Sequence, residues 1–273
     1  MSADALALAL AAALVHALWN VLVGSARDPR PAAAVAMLVG IAAGLPIAVA
    51  TWDVRRAAIP WIAASAVLEL AYIALLAAAY RGASVAVVYP VARGAAPPLV
   101  LAVAVATGVA ASAGQVAGVL LVAAGIGIVA LGAGRVPPRQ LGLALGVAAS
   151  IAGYTLVDKH GLRYGSPVPY LEAVMLWPSL AYAGWCASRD GLTALRAAAG
   201  RSSLVAGLGM FGAYALVLAA LQRAPAASVS AVRESSIVMA PLLAALLGRA
   251  RLDGRTLAGA AVVTAGVAVV TLA

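Results

Sequence analysis

Ten runs of about twenty mostly apolar residues follow one another along this chain, separated only by short polar connections. They cover roughly 5–23, 32–52, 59–80, 83–107, 112–133, 140–158, 167–188, 203–222, 225–248 and 255–273. A helix that rises 1.5 Å per residue needs about 20 apolar residues to cross a hydrocarbon core. Backbone groups in lipid must bond within their own segment, so each run is expected to be a helix. The runs are too long and too uniformly apolar for the alternating strands of a closed barrel. Of the 273 residues, 65% are hydrophobic and only 10% are charged. A soluble domain carries about a quarter charged residues. The expected fold class is all-α integral membrane, with ten transmembrane helices.

The net charge of +9 is not a nucleic-acid signal. The basic residues are scattered in ones, twos and threes between the apolar runs, where membrane insertion favours them. The odd-numbered connections carry more of them than the even-numbered ones. The positive-inside rule then puts the odd connections in the cytoplasm and both termini outside. The single cysteine, Cys186, lies in an apolar run and rules out a disulfide framework or a Cys-based metal motif. No cofactor and no metal is expected. Asp4 precedes the first run, no basic residue does, and the run itself holds His16, Trp19 and Asn20. These features point to a retained first helix rather than a cleaved signal. The expected setting is a cell membrane crossed many times, a bacterial cytoplasmic membrane.

The chain also repeats. Residues 115–131 align without gaps on 256–272, with 7 of 17 positions identical. Residues 6–24 align on 141–159, pairing Trp19 with Tyr154 and Asn20 with Thr155. Residues 71–81 align on 213–223, pairing Tyr72 with Tyr214 and Arg81 with Arg223. After a two-residue shift, 83–85 fall on 227–229 and Pro97 falls on Pro241. Matches in one order along the whole length predict a duplication, 1–134 and 135–273. Five helices per half is an odd number, so the second copy must enter the membrane inverted, the plan of many secondary transporters. Gly118, Gly125, Gly259 and Gly266 sit seven apart at matched positions. Small residues let helices approach closely in lipid. They predict packing between the halves or between two protomers, which leaves a homodimer open.

Ionisable residues at mid-membrane are costly and need a reason. His16, Glu69, Arg93 and Arg233, with Glu234 beside it, fall near the middle of their runs. Their similar depth predicts one polar cavity shared by both halves. Pro90, Pro97 and Pro98 remove backbone donors around Arg93, which predicts a kinked or locally open helix there. Tyr89 and Arg93 are four apart and share a face. Arg93 either recognises an anion or pairs with Glu69. Arg233 and Glu234 point about 100° apart on a helix, so each is expected to look to another helix. Ser230 and Ser236 are expected to bond back to their own helix. Glu69, Glu234 and His16 are the candidates for carrying a coupled proton, although a lone His16 also reads as a hydrogen-bonded strut. Glu172 is expected to reach the interface by snorkelling. Trp61, Trp177 and Trp185 read as belt or core residues.

His16-Ala17-Leu18-Trp19-Asn20 in the first run, Tyr89-Pro90-x-x-Arg93-Gly94 in the fourth and the stretch 232–248 in the ninth together resemble the EamA family of the drug/metabolite transporter superfamily. The resemblance implies two five-helix repeats around a central cavity. It implies transport of amino acids, metabolites or drugs, often outward. It carries the cavity over to Trp19, Asn20, Tyr72, Tyr89, Arg93, Tyr154, Tyr214, Arg233 and Glu234. The chain departs from the family where relatives often have a basic residue and it has Gly24. It departs again where they have Gly-Glu and it reads Gly108-Val109 and Gly248-Arg249.

The expected function is secondary transport of a small anionic or zwitterionic metabolite by alternating access, with a proton as the candidate coupling ion. Guanidinium pairs well with carboxylate and phosphate, which is why two membrane arginines point that way. The partners are then a small-molecule solute and the lipid bilayer, with no nucleic acid. A flippase of lipids or polyprenyl carriers would use the same fold. A membrane-embedded transferase would need a nucleophile, a metal site or paired acids at the interface. The chain has no HExxH and no Asp-rich run.

Overall fold

A computed structural model describes residues 1–24, 26–81, 85–131, 137–246 and 253–273. The expected boundary between halves at 134/135, part of the match at 83–85, and Gly248 with Arg249 lie outside the described residues. The described residues are almost all helical and contain no strand. The helices are α1 (Ala3–Gly24), α2 (Pro29–Ala50), α3 (Ile59–Tyr80), α4 (Val85–Ala106), α5 (Ala113–Ala130), α6 (Pro138–Gly161), α7 (Pro167–Ala198), α8 (Arg201–Arg223), α9 (Ala226–Arg233), α10 (Ser236–Leu246) and α11 (Gly254–Leu272). Among the described residues, eight helical stretches are long and apolar enough to cross a membrane. The outer surface is greasy in the way lipid requires: Val67 and Trp177, at 65% and 67% exposed, face outward from α3 and α7.

Local chemistry sets the ends. Proline occupies the first turn of α2, α3, α6 and α7, where its missing N–H has no helical partner to lose. Ser112 and Gln115 form a reciprocal capping box at the start of α5. Asp253 caps α11, accepting from the Thr256 N–H at 2.8 Å and its hydroxyl at 2.6 Å. Gly191, at φ 81°, interrupts α7 inside its last third, a backbone conformation open to glycine but strained for other residues.

Two sequence expectations about helix continuity are corrected. The fourth run was expected to be kinked or locally open at Pro90, Pro97 and Pro98; α4 continues from Val85 to Ala106 with all three inside it, so the helix does not open there. Each proline deletes one hydrogen bond and frees one carbonyl four residues back; for Pro97 and Pro98 these are the carbonyls of Arg93 and Gly94. The other ladder bonds carry the helix past these points. The break falls instead in the ninth run, where Glu234 and Ser235 separate α9 from α10. There the Glu234 N–H bonds to the Ala231 carbonyl and the Ile237 N–H to the Glu234 carbonyl, a tightened turn rather than a continued helix.

Helices pair mainly across the chain's two halves. The main contacts are α1 on α8, α3 on α6, α2 on α7 and α8, α4 on α6, and α5 on α11. The seam between α5 and α11 is the tightest. A methyl group added at Gly118 would lie 2.8 Å from the Gly266 carbonyl oxygen, and one at Gly125 would lie 2.9 Å from that of Gly259. Backbone meets backbone at both levels, so the four matched glycines pack one half on the other. Asp53 of the α2–α3 connection accepts from the Ser166 N–H at 2.8 Å and hydroxyl at 2.9 Å, just before α7. Next to it, the Arg55 N–H donates to the Tyr164 carbonyl at 2.9 Å, the Arg55 side chain donates to the Arg163 carbonyl, and its guanidinium lies over the Tyr164 ring.

Candidate functional site

The helix break decides the centre of the molecule. Glu234 caps α9 at the turn with its backbone still in the helical region, and its side chain turns to meet charges on both sides. Its carboxylate is wholly buried and lies 2.8 Å from Nε of Arg93 on α4 and 3.8 Å from Nε of Arg233 beside it. Arg93 and Arg233 are 4% and 5% exposed. This corrects two expectations: Arg93 pairs with Glu234 rather than with Glu69, and Arg233 does approach its neighbour. The contacts are close in charge but not aligned as hydrogen bonds. Nε and Nη2 of both arginines and both oxygens of Glu234 lack hydrogen-bond partners among the described residues. Buried charge left short of hydrogen bonds costs several kcal/mol unless another group satisfies it.

Tyrosines wall this cluster. The Arg93 guanidinium lies 5.8 Å from the Tyr89 ring centre, and that of Arg233 lies 6.0 Å from the Tyr154 ring centre. Tyr154 in turn meets Tyr72 edge-on at 6.3 Å and Tyr214 at 6.1 Å. His16 faces both arginines from α1 and stands edge-on to Trp19, with ring centres 4.8 Å apart. Asn20 turns back to its own helix, its side-chain N–H donating to the His16 carbonyl at 2.8 Å. Of the expected site residues, Tyr72, Tyr89, Arg93, Tyr154, Tyr214, Arg233 and Glu234 therefore form one connected group, with His16 at its edge. Among the described residues, Trp19 meets the group through the His16 ring, and the Asn20 amide is spent on its own helix.

Two further corrections bear on polarity. Ser230 and Ser236 do not bond back to their helix; both hydroxyls are buried without a partner among the described residues, while Ser235 donates to the Val232 carbonyl at 2.7 Å. The break frees Ser235 to turn inward on the preceding turn. Glu172 does not snorkel either. It is 4% exposed, and both its oxygens are buried without a hydrogen-bond partner among the described residues. A methyl group added at Gly44 of α2 would lie 2.8 Å from Oε2 of Glu172. It enters one turn inside α7, too deep for a short glutamate to reach water.

Asp158, near the end of α6, was not singled out from the sequence. It is 1% exposed and accepts from the Tyr214 hydroxyl at 2.7 Å and the Tyr170 hydroxyl at 3.1 Å. Glu69 lies beside Tyr214 and Asp158, and Arg233 faces both acids. The centre thus holds two permanent cations and three carboxylates. The one sequence signal for Asp158 is an acid at the end of an apolar run with a tyrosine twelve residues on, next to the charged pair Lys159 and His160. An apolar cavity lined by Met37, Met175, Met210, Phe211 and Tyr214 lies between α2, α7 and α8. It sits beside the arginines rather than around them, and only Tyr214 belongs to both.

Residues 139–272 match the model of the EamA-like transporter family. A crystal structure of a protein 19% identical in sequence superposes with a TM-score of 0.78, covering 100% of this chain and 99% of the other. At that identity the likeness shows the fold alone. No curated protein matches the chain.

Proposed function

The second half makes this chain a member of the EamA-like transporter family, a family of small-molecule transporters, and on that premise we propose that it moves a small anionic or zwitterionic metabolite by alternating access. The observation that carries the reading is the pair of arginines. Arg93 and Arg233 come from opposite halves, are buried at one place, and hold guanidinium N–H groups without hydrogen-bond partners among the described residues. A planar fork of donors suits a carboxylate or phosphate. Glu234 holds the position that such an anion would take between them, so an arriving solute competes with it.

The pattern of contacts supports two inverted five-helix repeats, 1–134 and 135–273. If the two copies are exchanged, α1 on α8 becomes α6 on α3, while α2 on α7 and α5 on α11 map onto themselves. Burial supports alternating access: with both arginines under 6% exposed, a solute reaches them only when helices part on one side. Glu69, Glu234 and His16 are the candidates within the expected set for a coupled proton. The membrane is a cell membrane, and the chain spans it many times.

The test is thermal stabilisation of the purified protein by inorganic phosphate, glutamate, glycine betaine and tetraethylammonium. A ligand at about 100 times its Kd adds about 2.7 kcal/mol to the folded state. Phosphate, glutamate or the betaine should raise the melting temperature, and tetraethylammonium should not. Arg93→Lys keeps the charge but loses the fork, and should weaken the response at least tenfold in concentration. Stabilisation by the cation alone, or an unchanged response in Arg93→Lys, would overturn the reading.

A further inference from the structure

We propose that Asp158 is the proton-coupling residue of this protein: shared with Glu69 across Tyr214, the proton loosens the two tyrosine bonds by which ionised Asp158 holds α6, α7 and α8 together. Geometry carries this. Asp158 lies on α6, Tyr170 on α7 and Tyr214 on α8, and both hydroxyls donate to the one carboxylate, at 3.1 and 2.7 Å. A carboxylate that accepts twice is a charge-assisted junction of three helices, and a neutral acid accepts far more weakly. The Ser65 hydroxyl, fully buried, lies beside the same acid without an aligned bond, a polar group ready for a changed arrangement.

The surroundings connect this junction both to the centre and to one end of the molecule. The ionisable groups near Asp158 are Glu69 from α3, Arg233 from α9 with Glu234 next to it, and the two tyrosines; Arg93 on α4 lies behind Arg233 and Glu234. On α6 itself, Lys159 turns away to donate to the Leu221 and Ala224 carbonyls, and His160 stacks on Trp61 at 5.3 Å. Those bonds, with Gln222 donating to the Leu162 and Gly165 carbonyls, tie the ends of α6 and α8 together. The clamp of Asp53 on Ser166 and Arg55 on Tyr164 lies at the same end. Asp158 therefore stands between the charges of the centre and this tied end of the molecule. In the alignment of 6–24 on 141–159, its counterpart is Val23. Only one half carries the acid, so protonation favours one of the two states over the other instead of acting on both alike.

The inference rests on the alternating-access reading but not on the class of solute. The experiment contains no solute, so its failure and that of the thermal panel are separate results. Amide exchange of 167–175 and 211–223 is followed by mass spectrometry in lipid nanodiscs over a pH series, with intrinsic exchange corrected on unstructured peptides. In the wild type, exchange in these segments should rise about tenfold as the pH falls, the factor expected when a charge-assisted bond becomes a neutral one. Asp158→Asn should show the raised exchange at every pH. Glu69→Gln should keep the rise but move the pH at which it occurs, which a merely structural role would not do. Tyr170→Phe with Tyr214→Phe removes the bonds while keeping the acid, and should match Asp158→Asn, which covers the case in which the asparagine variant does not fold. A wild type without a pH response would overturn the proposal. So would an Asp158→Asn variant or a double variant that responds like the wild type.

Discussion

Arg93 of the first half and Glu234 of the second stand 2.8 Å apart inside the protein, with Glu234 wholly buried. Removing one partner strands the other charge in an apolar interior, at about 3–5 kcal/mol. Glu234→Gln and Arg93→Met should each lower stability by that much in detergent, measured by thermal unfolding. The double variant Arg93→Met with Glu234→Leu should recover most of it, because two apolar groups leave nothing unpaired. Equal losses for the single and double variants would show that the pair is not what joins these helices.

The α5–α11 seam predicts a sharp contrast between two glycines on one helix. A side chain at Gly125 meets the Gly259 carbonyl and the Val263 amide, both backbone atoms that cannot swing aside. Gly125→Val should cost about 1–3 kcal/mol or more through overpacking. At Gly127 an added methyl meets nothing within 4 Å. Gly127→Ala should be neutral or stabilising by about 0.5–1 kcal/mol. Similar melting temperatures for the two variants would place the seam elsewhere.

Glu172 carries a buried carboxyl without a hydrogen-bond partner among the described residues. Such a group costs about 1–3 kcal/mol in a folded protein. Glu172→Gln should stabilise at neutral pH, and Glu172→Leu should stabilise further. A loss of stability in both would mean that this acid finds a partner in another conformation, and would make it a functional group.

Asp253 gives a stability effect with a defined pH window. Hydrogen bonds from Thr256 hold its carboxyl below the ordinary value of 3.8, so folding favours the ionised form. The stabilisation is fully present above 3.8 and fades as the pH falls through the lower folded-state value. Asp253→Ala should lower the melting temperature at neutral pH, and the difference from the wild type should shrink at pH values under 3.8. A difference that stays constant to the most acid pH would remove the cap from the account.

Hydropathy alone brought most helix limits to within a few residues, because lipid leaves the backbone no other way to satisfy itself. The family resemblance was legible in the same residues, and the match over 139–272 bears it out. The break at Glu234 and Ser235 was not legible, since two polar residues inside an apolar run look the same whether they face a cavity or end a turn. Three prolines pointed to a kinked or open α4, and the remaining ladder bonds keep the helix from opening. Arg93 had two acids at similar depth to choose from, and only the turn after α9 decides for Glu234. Asp158 was hidden by its company: beside Lys159 and His160 an acid reads as a wet terminus, and its burial comes from α7 and α8 folding over it.

The glycine seam, the cross-half ion pair and the Asp53–Ser166 clamp join the two halves without needing the polypeptide to run from one to the other. The covalent connection between Leu131 and Pro137 is then a convenience of synthesis. Two fragments divided there and produced together should find each other in the bilayer and assemble as a heterodimer.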